Sequence, residues 1–191
     1  MLNHCGTRDI DTGRLELRRF RHADADDMLH YWISDPNIQY LYSEPIYTTR
    51  EEVQALLDNY IQSYANADYY RWAIIEKESR ACIGQIAYFH MDSKNHFGEI
   101  EYCVGSEFQG RGYATEATRA VIDYGFENVN LHKIQITHRE GNDASRGVIL
   151  KCGFVHEGTL REHLFLDGGY VDRLYYSMLR NEWEEMRKTP R

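Results

Sequence analysis

Hydrophobic side chains recur along this chain with two different periods, and the switches between them mark out strands and helices. In "RLELRRF", Arg14 to Phe20, apolar and polar residues alternate, so Leu15, Leu17 and Phe20 face inward as in a half-buried strand. "HADADDMLHYWISDP" carries its acids early and stops before Pro36, which predicts a helix. "TTREEVQALLDNYIQSYA" opens with Thr49 and Glu52 at capping-box spacing, and Val53, Leu56, Leu57, Tyr60, Ile61 and Tyr64 follow at helical intervals. "YYRWAIIEK" and "RACIGQIAYFHM" read as strands joined by a turn near Glu78 to Arg80. "FGEIEYCVG" is a further strand, with Ile100, Tyr102 and Val104 on one face and Glu99, Glu101 and Cys103 on the other.

The helical period returns from Ala114 to about Asn128, where Ala117, Val121, Ile122 and Tyr124 form an apolar stripe. "HKIQITHRE" is a strand rich in β-branched residues. "NDASRGVILKCGF" starts with capping residues, runs through Val148, Ile149 and Leu150, and stops at Gly153, as a helix does. "REHLFLDGGYVDRLYYSML" makes two strands about an Asp-Gly-Gly turn, and "RNEWEEMRK" a short polar closing helix. Residues 1–12 follow neither period and read as a flexible lead to a single domain spanning 1–191. The order β-α-α-β-β-β-α-β-α-β-β predicts an α/β fold. Its mixed central sheet has about seven strands, parallel where a helix intervenes and antiparallel in the hairpins, with helices on both faces.

Charge narrows the partners. The 191 residues hold 22 Lys and Arg against 30 Asp and Glu, a net charge of −8. Such a chain lacks the basic face that nucleic acid or an anionic membrane requires, so neither is expected as a partner. A small anion held by a few local donors remains compatible, and the acidic surface favours the approach of a cationic substrate. Cys5, Cys82, Cys103 and Cys152 are scattered, with no CxxC pair or Cys/His cluster. No metal site or disulfide framework is expected, and reduced thiols in the cytoplasm fit best. The start lacks the apolar core of a signal peptide, and no segment is apolar enough to span a bilayer.

"EFQGRGYATEA", Glu107 to Ala117, is the motif with most chemistry in it. A strand ends at Val104, Gln109-Gly110-Arg111-Gly112-Tyr113-Ala114 turns the chain, and a helix begins. Free amides at a helix start attract anions, and glycines let phosphate oxygens approach them. Arg111 adds a charged donor. A tight turn without ligand explains the spacing equally well. The G-x-x-x-x-G-K-[ST] phosphate loop is absent, as are the third glycine and early position of the dinucleotide fingerprint.

"QGRGYA" resembles the Q/R-x-x-G-x-G/A signature of the GNAT superfamily of N-acetyltransferases, which bind the acetyl-CoA pyrophosphate on this loop. The resemblance extends through "GEIEYCV", "KIQITHREGNDASRGVILKCGF" and "EGTLREHLFLDGGYVDRLYYSMLRNEW", and so covers about Leu15 to Trp183. Asn142 with Ser145, Gly153 with Phe154, and the hairpin from Asp167 to Asp172 are similar to the branch that acetylates ribosomal-protein N-termini. The family fold implies two splayed parallel strands, here Glu99–Val104 and Lys133–His138. Between them the pantetheine arm of acetyl-CoA pairs like an extra strand.

Direct transfer of acetyl to an amine is the implied reaction. The implied cofactor site comprises Tyr102, Cys103 and Val104 on the strand, Gln109, Gly110, Arg111, Gly112, Tyr113 and Ala114 on the loop, and Asn142 with Ser145. Glu99 is the first candidate for the catalytic base and Glu101 the second. Relatives often carry a small residue where Glu101 stands. The tyrosine that many relatives use as the acid falls at Ile149, which leaves Ser145 near the sulfur; Asn142 and Ser145 also suit a helix cap. Trp32, Tyr40 and Tyr42 are candidates for an acceptor wall, with core packing the alternative. The acceptor implied first is a protein N-terminal amine, and a polyamine or amino-sugar comes second. A non-catalytic acetyl-CoA sensor is the rival from another class, and the closing hairpin would allow a homodimer.

Overall fold

Alternating side chains build the sheet from its first long contact onward. Leu15 and Leu17 are fully buried, and the strand carrying them lies beside that of Trp72 and Ile74. The computed structural model describes residues 1–42, 44–166 and 168–188. Its strands are β1 (Ile10–Asp11), β2 (Leu15–Arg18), β3 (Tyr70–Glu76), β4 (Cys82–Asp92), β5 (Phe97–Val104), β6 (Lys133–Arg139), β7 (Val155–Leu166) and β8 (Gly169–Leu179). Its α-helices are α1 (Ala25–Met28), α2 (Pro36–Tyr42), α3 (Arg50–Ser63), α4 (Tyr113–Tyr124), α5 (Asp143–Cys152) and α6 (Arg180–Lys188). The strands form one sheet in the order β1-β2-β3-β4-β5-β6-β8-β7. β5 and β6 are parallel and the other pairings antiparallel.

Both faces of the sheet are covered, as the alternation on β5 demands. Ile100 and Val104 join Val121, Ile122, Ile149 and Phe154 in a core beneath α4 and α5. Cys103 points the other way, into a second core with Met28, Trp32, Val53 and Leu57 of the helical segment 25–63. The Thr49–Glu52 capping box forms as expected. Gly153 ends α5 at φ +92°.

The eighth strand is the two-residue β1, which belongs to the segment expected as a flexible lead. That lead is tied down instead. Asn3 N–H donates to Val129 O, Gly6 N–H to Ala67 O, and the Thr7 hydroxyl to Tyr69 O. Backbone and hydroxyl bonds hold it rather than an apolar period, so the hydrophobic pattern did not reveal it. The first helix also differs. It passes from α1 into a π-helical turn, Leu29–Ile33, and Pro36 then begins a second helix. Proline suits a first helical position because its missing N–H would be unpaired there anyway.

Candidate active site

The parallel ladder between β5 and β6 runs from Phe97↔Lys133 to Ile100↔Ile136 and goes no further. Beyond it, β5 stays with β4 through Gly84↔Val104, while β6 stays with β8 through Arg139↔Arg173. The ends of the two strands therefore part. A bulge in β4 between Tyr88 and His90 lies opposite the last paired residues of β5, and bulges bend the strand that carries them. A cleft of about 690 Å³ opens at the divergence. Lining residues come from α4 and α5 on one face of the sheet and from Ile38, Leu41 and Glu44 on the other. The cleft thus reaches through the sheet.

The glycine turn borders the cleft on its α4 and α5 side. Gly110 and Gly112 adopt φ +74° and +82°, a left-handed region that side chains disfavour. Gly112 caps α4 without a side-chain hydrogen bond, so the first amides of the helix have no such partner. Gly110, Gly112, Tyr113 and Ala114 line the cleft, as does Thr115, which the motif had not singled out. Gln109 lines it too, but its amide donates to Val104 O at 3.0 Å and so closes the turn internally. Arg111 does not line the cleft; its guanidinium lies over Phe108, 5.6 Å from the ring centre. The Arg111 carbonyl accepts from Arg14, whose guanidinium lies over the Tyr113 ring. The Tyr113 hydroxyl donates to Glu76, which holds that phenol above its usual pKa.

Tyr102, Cys103, Val104, Asn142 and Ser145 also line the cleft. Asn142 caps α5 by accepting from Ser145 N–H at 3.1 Å, so the capping role expected for it is real and its amide nitrogen stays available. The Ser145 hydroxyl lies 3.2 Å from the Tyr102 phenol. Ile149, at the place of the usual tyrosine, is fully buried.

The two carboxylates of β5 separate. Glu101 lines the cleft and forms an ion pair with Arg71 at 2.8 Å. Glu99 does not line it; its Oε1 accepts from Arg173 and from the Thr137 hydroxyl, each at 3.2 Å. Sequence reasoning missed Arg71, Arg173 and Glu44. Partial burial and then the charge of Glu101 push the Glu44 carboxyl above its usual value. Of the expected aromatic wall, Trp32 is core at 1% exposure and Tyr40 stacks under Arg139 at 3.9 Å. Neither lines the cleft, which has Ile38 and Leu41 there instead. The Tyr42 side chain lies outside the described residues, as does Asp167.

A sheet parted at one parallel pair, with a glycine turn and helix start at the parting, is the architecture of an acyl-CoA-using transferase. The model of the acetyltransferase (GNAT) domain matches residues 14–155, and the chain belongs to that family. It is 33% identical over 176 residues to the uncharacterized N-acetyltransferase p20 of Bacillus licheniformis, covering 90% of this chain and 96% of that protein. It is 40% identical over 101 residues to Bacillus subtilis YdaF, whose name proposes a ribosomal N-acetyltransferase, covering 53% of this chain and 55% of that one. The spermidine N-acetyltransferase of Vibrio cholerae in complex with CoA and spermine superposes with a TM-score of 0.77 at 25% identity, covering 91% and 99% of the two chains. The chain is an acetyl-CoA-dependent N-acetyltransferase with the expected mixed sheet and parallel pair. Among the described residues no helix is long and apolar enough to cross a membrane.

Proposed function

We propose that this enzyme moves acetyl from acetyl-CoA to the N-terminal amine of a protein or peptide. The observation that carries the reading is the passage through the sheet at Ile100 and Ile136. It gives the donor and the acceptor separate entrances on opposite faces. The bare turn at Gly110 and Gly112 holds the diphosphate, and the strand-end backbone of β5 pairs with the pantetheine amides. Asn142 offers its free amide nitrogen to the same arm.

In the reaction the acceptor nitrogen forms a bond to the thioester carbon, the C–S bond breaks with its electron pair on sulfur, and the nitrogen loses one proton. Glu101 receives that proton, directly or through water, because it is the β5 carboxylate that faces the cleft. Glu99 instead holds Arg173 and Thr137 in place. Backbone N–H groups freed at the divergence stabilise charge on the thioester oxygen. Ser145 donates a hydrogen bond to the departing sulfur.

The charge of the cleft favours a peptide over a polyamine. Glu44, Glu101 and Asp143 are matched by Arg139, Lys151 and Arg173 among its described lining residues. A polycation needs a surplus of carboxylates, whereas an N-terminus brings one charge and peptide carbonyls that arginines can meet. The likeness to YdaF supports the same acceptor, while the net charge of −8 and the spermine-bound relative support a polyamine. Thiol release from acetyl-CoA with peptides bearing N-terminal alanine or serine, with spermidine and with an amino-sugar separates these readings. Turnover on peptides is expected. Turnover on spermidine alone would move the acceptor, and CoA binding without turnover on any amine would make the protein a sensor.

A further inference from the structure

We propose that Tyr102 is a positioning residue for the reaction: its phenol donates to Ser145 Oγ and so turns the serine's own O–H into the cleft, toward the departing sulfur. The inference rests on the acetyl-transfer reading above. Its observation is the 3.2 Å contact between the two hydroxyls, made across 43 residues of sequence by partners that both line the cleft.

Two hydroxyls that meet share one proton between them and leave one free. A phenol is the better donor and a serine oxygen the better acceptor, so the shared proton is the one on Tyr102. Ser145 then has one lone pair taken by the phenol and its own O–H left to point into the cleft that the residue lines. Burial raises the Tyr102 phenol above its usual pKa, so it keeps its proton and remains a donor across the working range. The serine backbone is fixed independently, because Asn142 Oδ1 accepts from Ser145 N–H. Backbone and hydroxyl are therefore each set by a separate partner. The face also fits: Tyr102 lies on the α4–α5 side of β5, opposite the side on which Glu101 meets Arg71.

This arrangement supplies what Ile149 lacks. A tyrosine pushed upward by burial is a poor proton source, since losing the proton would leave a buried phenolate. As a fixed donor to Ser145 it loses nothing. Ser145 in turn stabilises negative charge on sulfur without giving up its proton, and the thiolate takes its proton from water.

CoA alone tests the idea, with no acceptor needed. The ultraviolet absorbance of the thiolate reports the thiol's titration in the bound state. In the wild type the bound thiol should titrate about one unit below free CoA, the effect of a hydrogen bond that favours the charged form. Tyr102→Phe and Ser145→Ala should each return most of that shift, and the double variant should return no more than Ser145→Ala does. Below the thiol's pKa, CoA affinity should stay within about threefold in every variant, because neither hydroxyl holds the diphosphate and the lost shift weakens only the thiolate form. If Tyr102→Phe does not fold, Tyr102→Met makes the same comparison. A bound thiol left at its wild-type value by the Tyr102 variant, while Ser145→Ala moves it, overturns the inference alone. An unmoved thiol in Ser145→Ala removes Ser145 from the mechanism, and absence of CoA binding in the wild type defeats the acetyl-transfer reading itself.

Discussion

Ile100 and Ile136 are the last residues at which β5 and β6 face each other in register, and the cleft begins directly beyond them. Both are buried, so the point of divergence is anchored in the core rather than left to a mobile edge. Past it, strand edges that would normally bond to each other face a gap, and unpaired backbone groups seek a partner. Hydrogen exchange should show this. Amides of residues 101–104 and 137–139 that point into the gap should exchange readily in the free protein and slow by about tenfold or more with CoA. Exchange unaltered by saturating CoA would show that the arm does not lie between these strands.

The glycine turn makes a second demand. Gly112 sits at φ +82°, where any other residue is strained by about 1–2 kcal/mol, and a side chain there would approach Arg14 at 3.5 Å. Gly112→Ala should lower the melting temperature by a few degrees and weaken CoA binding modestly. Gly112→Asp should abolish binding, because its carboxylate takes the place of a phosphate and repels the rest. Calorimetric titration checks both, and near-normal affinity in Gly112→Asp would refute the loop assignment.

Ser145 and Asn142 can be told apart, although both belong to one helix cap. The cap uses the backbone N–H of Ser145, not its hydroxyl. Ser145→Ala should therefore keep the cap and cost only about 1 kcal/mol, from the Tyr102 phenol that loses its partner, while lowering kcat about tenfold with little change in KM for acetyl-CoA. Asn142→Ala should cost about 1 kcal/mol of stability and raise that KM. Equal kcat in Ser145→Ala and the wild type would exclude the serine.

Much of this was legible along the chain, and the limit has a physical cause. Periodicity reports what one element buries, so the β5 alternation and the Ala117–Tyr124 stripe were readable and all sit as expected. The Thr49–Glu52 box was readable because a cap is made within four residues. Partnership across the sheet leaves no such trace. Arg71 and Glu101 are 30 residues apart and Arg173 and Glu99 are 74 apart, and only the order β5-β6-β8 brings the second pair together. On the proposed reading the role of base passes from Glu99 to Glu101, which lines the cleft itself, whereas Glu99 meets the cleft only through the lining residues Arg173 and Thr137.

That reassignment is testable in the two carboxamides. Glu101→Gln should lower kcat/KM for the amine by about a hundredfold or more. Glu99→Gln should lower it less, while destabilising the fold because Arg173 loses its carboxylate. The reverse ranking of the two variants would return the role of base to Glu99.

Glu116 helps tie the glycine turn to the start of the chain, and its titration gives the tie a pH signature. Its carboxylate accepts from the Thr12 hydroxyl at 2.6 Å, from Arg14 N–H at 2.8 Å and from Arg14 Nε at 2.7 Å. Arg14 in turn donates to the Arg111 carbonyl at 2.9 Å. Burial alone would raise the Glu116 carboxyl, but these donors outweigh it and hold the group below its usual value of 4.5. A carboxyl lowered on folding stabilises the native state above its unfolded pKa, and that contribution is lost as pH falls through the folded one. Glu116→Gln should therefore cost about 1 kcal/mol at pH 7, a modest figure because half of the Arg14 side chain faces solvent. The gap to the wild type should close as the pH falls below the folded pKa. The variant should also raise KM for acetyl-CoA, since a loosened Arg14 no longer holds the Arg111 carbonyl. Melting curves at neutral and acid pH read the first effect and steady-state kinetics the second. A stability gap that persists undiminished in acid would mean that Glu116 acts through shape rather than charge.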